Sequence, residues 1–192
     1  DFSEPRYVVS LLTASNGIGG TYPQTRSYEG AQVHLQGRGF MGFYRQSMTD
    51  SRDGLWRHEI RRRDFPYTGV LVESELKQSN DTTSIRKTVN TPLKTDLGGS
   101  AEEAYRLHIS SSITNVNEFG GARNGQPVSK TTITTLVDDY GNPTDVTVSR
   151  QDMDESTTFL GETFTQQTVN TIPNNPSTWC LGQAEQTTVK ST

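Results

Sequence analysis

One cysteine, Cys180, is all that this 192-residue chain carries, and that excludes an intrachain disulfide and any multi-thiolate metal site. Flanked by Trp179 and Leu181, it reads as a small buried apolar residue, the usual setting of a free thiol. The three histidines, His34, His58 and His108, lie far apart in strand-like segments without ligand spacing, so no metal or other cofactor is expected. No apolar run approaches the ~18 residues of a membrane helix, and no signal peptide opens the chain; this segment is expected to insert in no membrane. It begins at Asp1 rather than methionine and so reads as a piece of something longer. Basic excess is also missing: the net charge is −4, which offers no field to gather nucleic acid. Apolar residues are scarce. Counting glycine but not tyrosine takes their share from 30% to about 35%, against ~45–50% in ordinary globular domains.

Threonine and serine fill the gap, and threonine favours pleated, half-buried surfaces. An extended antiparallel sheet with a wet face accounts for that composition better than disorder does. Alternation places strands at residues 7–13, 24–28 and 31–36, the last with Ala31, Val33 and Leu35 on one face. Residues 40–48 and 56–63 flank a turn-rich loop at 49–54 and read as a hairpin. Pro66 and Gly69 end the second of these strands. Residues 70–77 and 84–95 form another hairpin, 105–119 a long strand, and 120–125 a glycine-rich loop. Residues 128–139 and 144–150 pair across the turn Tyr140-Gly141-Asn142-Pro143, and a further strand spans 185–191 after Gly182. The fold class is therefore all-β: an extended, curved antiparallel sheet of consecutive hairpins. It forms a single segment over 1–192, with a subdivision near 96–104. There Ser100 can cap a brief helical turn begun by Glu102 and Glu103.

Gly37, Gly39 and Gly42 match the GxGxxG pattern of dinucleotide sites, but that pattern works only where a helix follows at once. Aromatic strand residues follow instead, so these glycines are expected to shape a bend between strands. The run from Arg57 to Arg63 is split between two faces in a strand and interleaved with Glu59 and Asp64, so it reads as a solvated face with local ion pairs. The sequon at Asn80-Asp81-Thr82 is a three-residue match of little weight.

The ordered set SNGIGG, YEGAQVHLQGRGFMGF, RRDFPYTG, DDYGNPTDVTVS and WCLGQAEQTTV resembles the bacterial Rhs/YD-repeat family. More narrowly, it is similar to the segment of TcB-like (SpvB/TcdB-type) toxin-complex proteins between propeller and repeat shell. Tyr140, Gly141 and Asn142 match the repeat's turn, while Asp138, Asp139 and Pro143 depart from its consensus. The resemblance implies a shell of β-strands enclosing a toxic polypeptide, secreted or on the bacterial surface. The implied partners are the rest of that shell, its cargo and other toxin-complex subunits. It carries over no catalytic residue, and a structural role without enzymatic activity is expected.

Two other readings stand beside it. A β-rich glycan hydrolase needs paired carboxylates, for which Glu73 with Glu75, or Asp152, Asp154 and Glu155, are the candidates. A carbohydrate- or protein-binding module would use Trp56, Tyr67 and Trp179, although packing explains such aromatics as well.

Overall fold

The computed structural model describes residues 6–78, 83–97 and 104–192. Among these, eleven strands follow one another: β1 (Leu11–Ser15), β2 (Thr21–His34), β3 (Gly39–Asp50), β4 (Trp56–Arg61), β5 (Leu71–Lys77), β6 (Ser84–Asp96), β7 (Tyr105–Asn117), β8 (Pro127–Val137), β9 (Pro143–Asp152), β10 (Thr163–Thr171) and β11 (Gln186–Ser191). The only helical element among the described residues is one 3-10 turn, Pro176–Thr178. Strand order in the sheet is chain order, β1 through β11. The all-β sheet of consecutive hairpins follows from the sequence pattern, because antiparallel neighbours need only short turns whereas parallel ones need long crossovers.

The chain divides into two compact units, residues 1–87 with 119–125 and residues 88–118 with 126–192. The division falls inside β6. Residues 98–103, and with them the helical turn expected around Ser100, Glu102 and Glu103, lie outside the described residues, as does the sequon at Asn80-Asp81-Thr82.

In the first unit the register sets rows of side chains across the sheet. Arg26, Met48, Arg57 and Leu76 form one row and Tyr28, Gln46, Glu59 and Ser74 the next. The opposite face carries Thr25, Thr49, Trp56 and Lys77, then Ser27, Ser47, His58 and Glu75. The segments read as separate strands at 24–28 and 31–36 are one strand, β2, which continues through Gly30 at φ 64°. A Cβ at Gly30 would stand 2.9 Å from the Tyr44 Cβ, so this close approach requires glycine. Leu35 does not share a strand face with Ala31 and Val33. It lies in the turn after His34 and is 88% exposed, because Gly37 at φ 101° reverses the chain there.

In the second unit β8 pairs with β7 and β9, and β10 with β9 and β11. One face lines up Thr132, Ser149 and Thr165, then Thr134, Thr147 and Gln167. Such hydroxyl and β-branched pairs each add a few tenths of a kcal/mol, up to ~1, to an antiparallel ladder. β10 is a strand that alternation does not flag. Its sequence, TFTQQTVNT, is polar on both faces, and its strand state comes from backbone pairing on both sides.

Met41 is the one buried apolar residue among the described residues. The accessible surface is 12504 Å², whereas a compact monomer of this mass exposes about 9,100 Å². Strand residues share in the excess: Leu11, Leu12, Phe164 and Val189 are each about half exposed.

Candidate functional site

The best-organised polar cluster of the second unit is at the β8–β9 turn. Asp138 Oδ1 accepts the backbone N–H groups of Tyr140 and Asn142, both at 2.9 Å. Its Oδ2 accepts Asn142 Nδ2 at 3.0 Å and Asn174 Nδ2 at 2.6 Å. Burial pushes the carboxyl up, but these donors outweigh it, Asn142 foremost, and hold its pKa down at about 2. Asn174 Oδ1 in turn accepts the Gly182 N–H at 2.9 Å. The connector between β10 and β11 is thereby tied to the β8–β9 turn, and Tyr140, Gly141, Asn142 and Gly182 meet in one network. Gly141 and Gly182 have φ of 91° and 76°. A Cβ at Gly182 would lie 2.7 Å from Asn142 Oδ1, and one at Gly141 2.8 Å from Arg106 Cδ. Sequence reasoning treats Asp138 as a departure from a repeat and passes over Asn174. The available signal is an Asp opening a Gly-Asn turn, whose side chain bonds its own backbone two residues on.

A comparable node closes β3 in the first unit. Asp50, only 2% exposed, accepts Gln24 Nε2 at 2.7 Å and the backbone and side-chain donors of Arg52. The Arg52 guanidinium, then its backbone N–H, hold this carboxyl well below the usual range. Gly37 lies in the β2–β3 turn, Gly39 opens β3, and Gly42 stands opposite Gln32 beside the register shift at Val33. All three have positive φ, and beyond their chain neighbours no atom lies within 4 Å of where their Cβ would be; backbone conformation is what they supply. Pro66 follows a cis peptide bond, and Gly69, at φ 81°, donates to the Arg62 carbonyl at 2.9 Å, closing the β4–β5 connection. The arginine run is paired locally: Arg57 with Asp53, Arg61 with Glu59 and Arg62 with Asp64. Arg63 instead stacks over Tyr44 and donates to the Gly30 carbonyl.

The carboxylates suggested for hydrolysis have other partners. Glu73 and Glu75 engage Lys87 at 3.0 Å and Lys77 at 3.6 Å. Asp152 accepts the Asp154 N–H and Asp154 accepts Ser156, so both shape the turn that exposes Glu155. Of the aromatics, Trp56 packs 5.8 Å from the His58 ring, Tyr67 lies under the Arg62 guanidinium, and Trp179 is 84% exposed at φ 55°. His34, His58 and His108 sit on β2, β4 and β7. Cys180 is exposed, not buried. Its connector stands outside the strand ladder, fastened by an isolated bridge to Asn175, and the thiol donates to Gln183 Oε1 at 3.3 Å.

No protein-family model matches this chain, and no curated protein matches it. Solved structures do. A crystal structure of TcdB2-TccC3 superposes with a TM-score of 0.68 at 12% identity over 89% of this chain. A Tc holotoxin pore of Photorhabdus luminescens superposes with a TM-score of 0.69 at 11% identity over 90%. The fold is one found in Tc toxin chains. This chain spans 12% of the length of those Tc chains, and at such identity the likeness extends to the fold, not to individual side chains. Its sheet of successive hairpins thus shares its fold with part of those Tc chains, and the Asp138 and Asp50 nodes are features of this chain's own residues.

Proposed function

We propose that this chain is a wall segment of an Rhs/YD-repeat-type β-shell, which encloses a toxin polypeptide in a Tc-like toxin complex and performs no catalysis itself. The observation that carries this reading is the open sheet, with Met41 as the one buried apolar residue among those described. A sheet that acts as a partition presents one face to each side and needs little apolar filling. The likeness to TcdB2-TccC3 supports the same reading. The partners are then the adjoining strands of the same polypeptide, the enclosed toxin domain and other toxin-complex subunits. The place of action is outside the producing cell or on its surface.

Hydrogen exchange on the isolated chain, compared with the same segment in a full-length shell protein, tests the proposal. The β1 and β11 amides are expected to exchange fast in isolation and to gain protection in the shell, because a wall continues on both sides. Equal protection of β1, β11 and the central strands in an isolated monomer would overturn it, and a self-contained binding module would become the better reading.

A further inference from the structure

On the sheet face of the first unit, Arg26 on β2 and Arg57 on β4 flank Met48 on β3 as cross-strand neighbours. Together with Tyr28, Gln46 and Glu59 they line an open pocket of about 260 Å³. Its charges are unevenly matched. Arg57 gives Nη2 to Asp53, and Glu59 is taken by Arg61, which leaves Arg26 exposed and without an ion-pair partner among the described residues. Arg57 Nη1 is covered and meets no acceptor, an unmet donor that costs stability. The local sum is one positive charge, in a chain whose net charge is −4.

We infer that this pocket binds a carboxylate side chain of an acidic peptide segment. One uncompensated guanidinium suits a monoanion, and a phosphate dianion would leave a negative charge unpaired. The guanidinium fork matches a carboxylate in two parallel hydrogen bonds. Tyr28 and Met48 offer apolar contact for the methylenes beside the acid, and the Gln46 amide can donate to a peptide carbonyl. An extended ligand would also place alternate residues on the sheet face, so the acid and the residues two positions to either side of it meet the same surface. The pocket does not depend on the wall reading.

The test is fluorescence anisotropy of a labelled peptide with one glutamate among neutral residues, titrated with the full 192-residue chain. Saturable binding that weakens in high salt is expected, with a loss of about tenfold or more in R26Q and again in R57Q, the scale of a lost charged hydrogen bond. R26K, which keeps the charge but not the fork, should fall between, and K190Q in the second unit should bind as the parent does. Circular dichroism checks that each variant keeps its sheet. Displacement by acetate would show that a lone carboxylate suffices; displacement only by excess glutamate peptide would show that the peptide backbone contributes. The proposal is overturned if the glutamine version of the peptide binds equally, if R26Q and R26K both bind like the parent, or if inorganic phosphate displaces the peptide better than acetate.

Discussion

Asp138 receives four donors on one carboxylate, two at each oxygen, and a proton or an amide nitrogen at one of these positions weakens or repels the donors that meet it. Its folded pKa of about 2 lies below the ordinary 3.8. The stability it contributes is therefore fully present above the higher value and disappears as pH falls through the lower one. In D138N, an amide NH2 would face the donor groups of Asn142 or Asn174. The expected cost at neutral pH is ~1–3 kcal/mol in urea unfolding, the scale of leaving such donors unmet. The same variant should lose part of the acid sensitivity seen between those two pKa values, and an unchanged acid profile would remove Asp138 from this role. G182A is expected to cost ~1–2 kcal/mol, because an L side chain resists the left-handed region and its Cβ would press on Asn142. G37A shares the φ penalty without the clash, so it should cost less. None of these effects is legible as spacing. Asp138 and Asn174 are 36 residues apart, and only the pairing of β8 through β11 brings their side chains within reach.

The strands at the two ends of the sheet order, β1 and β11, each pair on one side and carry exposed apolar residues: Leu12 at 48% and Val189 at 55%. Open edges with apolar side chains recruit other strands, and a lysine on the edge is the usual remedy. L12K with V189K is therefore expected to lower concentration-dependent association in sedimentation velocity, while stability stays within ~0.5 kcal/mol of the parent, as for ordinary surface changes. Unchanged association would show that these edges are not where copies meet. Most strands were legible from alternation, with boundaries shifted by a few residues. β10 was not, because Gln166, Gln167 and Asn170 erase the apolar period and its hydrogen-bond partners lie on other segments. Cys180 was misread for a related reason: its apolar neighbours suggest burial, but the connector that holds them packs into no core.

For the whole molecule, the uncovered surface changes how unfolding responds to denaturant. Unfolding raises accessible area from 12504 Å² to about 31,000 Å², whereas a compact chain of equal mass would start near 9,100 Å². The urea m-value scales with that difference and is expected to be about 15% below that of a compact domain of the same length. A value at or above the compact one would mean that the isolated chain buries its sheet faces against itself or another copy. Far-ultraviolet circular dichroism should meanwhile show a sheet spectrum without helical minima.

Composition and alternation were enough to determine an all-β chain of consecutive hairpins with little core, because strand period and turn chemistry are local properties of the residues that carry them. The sequence also placed Gly37, Gly141 and Gly182 at turns; Gly37 supplies backbone conformation alone, while at Gly141 and Gly182 a Cβ would also meet Arg106 and Asn142. Tertiary structure decided which distant groups meet: Asp138 with Asn174, Arg26 with Arg57 across Met48, and β10 between β9 and β11. Those contacts depend on strand register, in which a slip of one residue moves every side chain to the other face, and register is set by the whole ladder rather than by any one segment.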